Sequence, residues 1–473
     1  MKRFLCHLGA VLLGACSSGH PAEVVVPAPS SPRIQSFTPA AAAVFIGERA
    51  QLTAIFDGDV ANIEGIGTVQ SGVAVETPSL SRATTFTLQV SRGGEEVEAY
   101  ATVQANYRDR IRVLDAAPAA QTNHVAAALP GGRAIAMGGN TSETPLVPDS
   151  TLTQMFDPST ERFGPGPDLL FAVQTRVFTS VAPLLGGSVL LVGTGPNAPV
   201  GGVRAAVTQV FAPTDAPFMR VGDAVTRGTS DRTATALLDG GVLVTGGIDG
   251  STDPISASAD RYDANSAQWR AAGHMLHVRV GHTATLLHDG RVLIAGGLSC
   301  CQVPNPSPDF FASTAEIYDP ATGAFTPTGS MNAPRGNHAA ALLFDGRVLI
   351  SGGDGNDPAA PPLGTEIFDP ATGQFSPGGD LHTPRDSHQA VTLTDGRVLV
   401  IGGEVPPELA GRAGIGVPAT EIFDPATGLW SPGPTLDPAF YAATVTMLGN
   451  GKVLVFGGQD AGGFPQSAAE LFE

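Results

Sequence analysis

The sequence predicts an all-β protein: a ring of like four-stranded units preceded by a small β-sandwich. Three observations predict it. Glycine and proline are abundant, 59 and 39 of 473 residues, while charged residues make up only 15%; that balance suits many short strands joined by tight turns. A motif with a period of roughly 50 residues recurs along most of the chain. The segment ahead of it alternates apolar and polar positions between glycine breaks. Hydrophobic residues, at 42%, suffice for a large core. The net charge of −18 favours solubility. It argues against nucleic acid as a partner, because phosphate contacts need a basic surface. It argues equally against adsorption of the whole body onto an anionic membrane.

The elements follow in chain order. Lys2 and Arg3 precede a short apolar run, Phe4 to Leu13, too short to span a bilayer permanently. Leu13-Gly14-Ala15-Cys16 resembles the lipobox of bacterial lipoproteins. The resemblance implies that the Cys16 thiol takes a diacylglycerol and becomes the first residue of the mature chain. The competing expectation is an ordinary signal peptide with an incidental cysteine. Ser17, where Asp would imply retention at the inner membrane, implies an outer-membrane lipoprotein facing the periplasm or the cell surface. Contact with the membrane is expected through the Cys16 lipid anchor only. Residues 1–16 are thus a signal segment, and residues 17–32, rich in Ser, Pro and Ala, a flexible tether.

Residues 33–107 carry alternating runs such as Gln51 to Phe56, Phe86 to Val90 and Val97 to Val103. They predict a small sandwich that looks like the Ig-like domains of bacterial surface proteins, though it lacks a Cys-Trp-Cys pattern.

Residues 108–473 hold the repeat. Three copies are nearly identical: Arg279-Val-Gly-His282 through Asp289-Gly290 to Gly296-Gly297, Arg335 to Gly352-Gly353, and Arg385 to Gly402-Gly403. Each is followed by Glu-Ile-aromatic-Asp-Pro-Ala-Thr-Gly, beginning at Glu316, Glu366 and Glu421. Weaker copies place glycine doublets at Gly138-Gly139, Gly246-Gly247 and Gly457-Gly458, with Gly193-Thr194 in one copy. Seven copies result, and they resemble Kelch repeats. The fold implied is a seven-bladed Kelch-type β-propeller behind the Ig-like sandwich. Within a copy, Asp-Gly predicts a tight hairpin. The following Val-Leu-Ile predicts a strand buried on both faces. Pro-Ala-Thr-Gly predicts a second turn, after which Phe325, Phe375 or Trp430 anchors an outer strand. The last copy ends at its third strand, so Asp109 to Asp115 is expected to supply the missing fourth and remove two exposed edges.

Strand order puts the two tight turns of every copy on one face of the ring. The long, divergent second-to-third loops and the links between units lie on the other. Variation on a rigid scaffold marks a binding face, so a protein or polysaccharide ligand is expected there, on a monomer with no cofactor. Arg176, Arg279, Arg335 and Arg385 occupy equivalent places near the channel mouth, with His124, His282, His338 and His388 at the heads of the innermost strands. In Kelch proteins of eukaryotes, arginines at the matching position grip acidic peptides, and the resemblance implies a ligand-binding role for these arginines and for His282, His338 and His388. The competing expectation is that the arginines pair with Glu316, Glu366 and Glu421 to lock the units together. Gln121, Thr229 and Phe440 replace the arginine in three copies, and Arg232 takes the histidine position in one.

Some Kelch-type propellers are enzymes. The copper site of the galactose oxidase family needs two Tyr, two His and a Tyr-Cys cross-link. Here the tyrosines of the repeat region are Tyr262, Tyr318 and Tyr441, and its cysteines, Cys300 and Cys301, are adjacent. The latter are read either as a vicinal disulfide or as two free thiols; no Cys-x-x-Cys or nearby His suggests a metal. No catalytic or metal-ligating residue is singled out. The expectation is a binding module rather than an enzyme. The alternative is a carbohydrate-active enzyme (an epimerase or mutarotase, a lyase, or an oxidase-like protein) working in the channel.

Overall fold

The computed structural model describes residues 31–141, 150–170, 180–194, 206–212, 217–222, 231–248, 255–299, 310–357, 362–405, 416–437, 439, 442–460 and 464–473. The chain is all-β. It divides into two compact units, one comprising residues through Thr38 with Thr53–Ala74 and Phe86–Tyr100, the other Pro39–Leu52, Val75–Thr85 and Ala101–Glu473.

The N-terminal strands form two sheets. One has the order Arg33–Pro39, Gln51–Asp57, Ala74–Glu76; the other runs Ala43–Phe45, Glu95–Asn106, Thr84–Arg92, Val60–Ile63, Gly67–Thr68. The expected alternation is present: in Gln51–Asp57, Leu52 and Ala54 are buried, Thr53 between them is half-buried, and Gln51 and Ile55 on either side are exposed.

The remaining chain builds four-stranded antiparallel sheets, seven among the described residues, as in a propeller. The fourth is representative: Thr283–Leu286, Val292–Ala295, Ala315–Asp319 and Ala324–Pro327. The Asp-Gly turns are three-residue connections. Leu287 donates its amide to Arg291 O at 2.8 Å, and Gly290 closes the turn at φ +87°, a conformation glycine adopts without strain. In the second turn the Asp319 carboxylate accepts the Ala321 amide at 2.9 Å. Every residue of Val292–Ala295, Val348–Ser351, Val398–Ile401 and Val453–Phe456 is buried, as the apolar runs require. Third and fourth strands are joined by aromatic pairs: Tyr318–Phe325, Phe368–Phe375 and Phe423–Trp430, with ring centroids 4.8, 4.9 and 5.1 Å apart.

The seventh sheet is closed by the segment that precedes the repeats. Ile111–Val113 pairs antiparallel with Ala469–Phe472, setting Phe472 opposite Ile111 and Glu470 opposite Val113. The first strand of each sheet lies beside the first strand of the next, and that of the seventh beside that of the first. Cores fill the spaces between sheets: Leu293, Val348, Ile350 and Phe368 between the fourth and fifth, and Leu454, Phe456, Ala134 and Phe156 between the seventh and first.

Candidate functional site

The equivalent arginines and histidines sit where consecutive sheets meet. Arg279, Arg335 and Arg385 are 0–1% exposed. Arg279 donates from Nε to Glu316 Oε1 at 2.9 Å, from Nη1 to the carbonyls of Gly296 and Thr314 at 2.7 and 2.9 Å, and from Nη2 to Thr314 Oγ1 at 3.0 Å. Arg335 reaches Glu366 Oε1 and Arg385 reaches Glu421 Oε1, both at 3.0 Å. The glutamates in turn accept amides of the link arriving from the preceding sheet: Leu276, Asn332 and His382, each at 2.7 Å. Burial lowers the pKa of each guanidinium, and its glutamate opposes the shift. A buried charge of this kind depends on its hydrogen bonds; Arg335 Nε is left without one among the described residues.

A ligand grip by these arginines is one expectation and a lock to glutamate the other. Arg279, Arg335 and Arg385 turn inward and are consumed by the lock to glutamate, the competing expectation. Arg176 lies outside the described residues. The substitutions elsewhere obey the same geometry. In the first sheet Gln121 and Gln154 replace the charged pair by a neutral one: Gln154 Nε2 donates to Gln121 Oε1 at 2.6 Å, and Gln121 Nε2 to Gly138 O at 2.8 Å. In the third sheet Arg232, at the histidine position, reaches Asp260 at 3.3 Å. In the seventh sheet Glu470 is fully buried; its Oε1 accepts the Asp437 amide at 2.8 Å, while Oε2 has no partner among the described residues. Burial pushes the Glu470 pKa up to about 7, the Asp437 amide opposing and the Asp437 charge adding to the shift.

The histidines, expected to share in binding a ligand, are likewise interior groups. Each bonds a hydroxyl of the preceding sheet: His282 with Thr245, His338 with Thr283 and His388 with Ser351, all at 2.9 Å, and His124 with Thr444 of the seventh sheet at 2.7 Å. Burial, with the charge of the adjacent arginine, lowers His282 and His388 to about 3 and holds His338 well below its ordinary value. They are neutral at physiological pH. Their rings rest on the first glycine of the preceding doublet. A Cβ on Gly296 would lie 2.5 Å from Arg335 O and 2.7 Å from His338 Cε1. The second glycine donates to the carbonyl at the arginine position, as Gly297 does to Arg335 O at 2.9 Å; Gly458 does the same to Gln121 O at 2.8 Å, across the ring closure.

One polar cluster escaped the sequence analysis. Asp386 is buried, and its strand-like bridge to Glu404 and the bridge of Asp354 to Gly336 gather three carboxyl groups at the loop end of the fifth and sixth sheets. Burial, then the charges of Asp354 and Glu404, push Asp386 up to about 7, with a hydrogen bond to Ser387 opposing. No spacing flagged it, because Asp386 stands where the other close copies have Val280 and Gly336.

Among the described residues the copper ligand set is not assembled. Tyr262 and Tyr318 are packed in the cores between sheets, and His124, His282, His338 and His388 are each bonded to a separate hydroxyl. Among the described residues no group of three or more His, Cys, Asp or Glu is disposed to hold a metal. Cys16, Cys300, Cys301, Thr229, Phe440 and Tyr441 lie outside the described residues, as do residues 300–309, 358–361, 406–415 and 461–463 of the long second-to-third loops.

No protein-family model and no curated protein sequence matches the chain. Solved structures do. A fungal alcohol oxidase of the AA5 family, determined in complex with copper, has 16% identity and a TM-score of 0.59, with 76% of each chain covered. YjhT has 14% identity and a TM-score of 0.48 over 63% of this chain and 95% of that one. At such identity the likeness to the oxidase is one of fold: the repeats form a Kelch-like β-propeller.

Proposed function

We propose that the chain is a lipid-anchored binding module of the outer membrane. In this reading residues 1–16 direct export, lipidated Cys16 anchors the protein, residues 17–32 are a tether and 33–107 an Ig-like sandwich. Residues 108–473 are a seven-bladed propeller presenting its loop face to a protein or polysaccharide. One observation carries the reading: the polar groups that recur in the repeats are buried and spent on holding sheets together. The repeated part is therefore scaffold, and what differs between copies, the long second-to-third loops, is left to recognise a partner. Replacing residues 406–415 by Gly-Ser-Gly is expected to abolish capture of the partner in pull-downs and glycan arrays while thermal stability is kept. Undiminished capture would end this assignment. Cys16→Ser is expected to move the protein to the soluble fraction and to abolish labelling by a fatty-acid analogue.

The Asp354–Asp386–Glu404 cluster favours a second reading, a carbohydrate-active enzyme. A carboxyl group titrating near 7 is suited to general acid–base work on a sugar. It predicts sugar anomer exchange, followed by polarimetry, with an inflection near pH 7 that Asp386→Asn removes.

A further inference from the structure

The Asp-Gly-Arg hairpins of the fourth, fifth and sixth sheets share one geometry. In Asp289–Arg291, Asp345–Arg347 and Asp395–Arg397 the aspartate Oδ1 accepts the arginine amide at 3.0, 3.0 and 3.1 Å, and Oδ2 accepts Nε at 2.8 Å in all three. Nη2 lies within 2.6 to 2.8 Å of that same oxygen. The clamp fixes the guanidinium plane and turns its Nη edge outward.

In the sixth hairpin the chain itself fills that edge. Arg397 donates from Nη1 to Asp109 Oδ2 and from Nη2 to Asp109 Oδ1, both at 2.8 Å, a bidentate fork on a carboxylate. Asp109 follows Tyr107, whose phenol donates to Gly451 O of the next hairpin at 2.6 Å. Arg291 and Arg347 present the same edge with no carboxylate on it among the described residues, their side chains 40% and 37% exposed. The aromatic place is supplied there by the chain's own side chains. His288 stands where the sixth hairpin has Thr394 and reaches over Gly346, and Phe344 reaches over Gly396. Leu238 and Phe344 are each 64% exposed. A groove of about 290 Å³ runs past Arg291 between Leu238 and Pro320. It also holds Asp239 and Asp319, but both are engaged, Asp239 by Arg261 and Asp319 by the Ala321 amide; Asp369 lies near Arg347. These acids disfavour a polyacidic run and leave each guanidinium suited to one carboxylate.

We propose that Arg291 and Arg347 are carboxylate-binding sites for an extended segment of a partner protein. One Asp or Glu sits on each guanidinium, and apolar side chains beside them cover Leu238, which reaches over Gly290, and Phe344, which reaches over Gly396. The occupant follows from Asp109, which shows what this hairpin takes. The site lies on the tight-turn face, away from the variable loops, so this proposal and the loop-face reading fail independently.

The test uses the full chain and a dye-labelled peptide with two aspartates flanking four apolar residues, beside the same peptide with both as asparagine. Anisotropy is expected to show binding of the aspartate peptide, at least tenfold weaker binding of the asparagine peptide, and a similar loss in R291Q/R347Q with unchanged melting temperature. R291K/R347K, which keeps the charge and loses the fork, is expected to bind weakly. Asp109→Asn, which frees a third guanidinium, is expected to tighten binding. Equal binding of the two peptides, full binding by R291Q/R347Q, or no binding to the unaltered chain at millimolar peptide would overturn the proposal.

Discussion

At the scale of single residues, the lock between link and third strand exists in a charged form (Arg335–Glu366) and a neutral one (Gln121–Gln154). Removing one partner of a buried pair strands the other. Arg335→Ala is therefore expected to cost about 3–5 kcal/mol in urea unfolding. The double change R335Q/E366Q, which copies the first sheet, is expected to recover most of that loss. Glu470 is the reverse case, an acid whose arginine is replaced by Phe440. Its folded pKa of about 7 exceeds the ordinary glutamate value, so the folded state binds the extra proton. The stability linked to that proton is complete below the unfolded pKa and is lost as pH rises through 7. Glu470→Gln is expected to raise stability at pH 8 by about 3 kcal/mol at most and to change little at pH 4.5. A melting-temperature gain equal at both pH values would show that the carboxylate carries no such penalty.

At the scale of elements, sheets are joined by a histidine seated on glycine. Gly296 needs both its left-handed φ of +65° and the absence of a side chain. Gly296→Ala is expected to cost about 3 kcal/mol or more, read from the unfolding midpoint. The histidines set the acid limit. Their folded pKa values lie below the unfolded value, so their contribution is complete above about 6.5 and is lost as pH falls toward 3. Unfolding followed by circular dichroism is expected to begin below pH 6.5, and His388→Gln is expected to move that onset to lower pH. The turns and buried second strands were legible in sequence because Asp-Gly, Pro-Ala-Thr-Gly and Val-Leu-Ile act locally. The hydroxyl partners of the histidines were not. Thr245 and Ser351 end second strands while Thr283 opens a first strand, so no single spacing reveals them.

At the scale of the whole molecule, the ring is closed by pairing Ile111–Val113 with the C-terminal strand. A chain beginning at Ala116 would leave Ala469–Phe472 as an unpaired edge. It is expected to melt at lower temperature and to scatter light on heating, because an open edge recruits other chains. Equal stability of the shortened chain would mean that closure rests on the first strands alone.

The sequence by itself determined the all-β class, the repeat register, both turns of each unit and the closing strand. Each of these depends on periodicity and local backbone preference, which a linear chain displays. Only the tertiary structure decided what the repeated arginines and histidines do. A guanidinium four residues ahead of a strand reaches solvent or the next sheet with the same spacing, and its direction is set by whether a buried carboxylate waits there. Packing placed Glu316, Glu366 and Glu421 at that spot and turned an expected binding rim into internal bracing. It also brought Asp109 onto Arg397, nearly three hundred residues away in sequence.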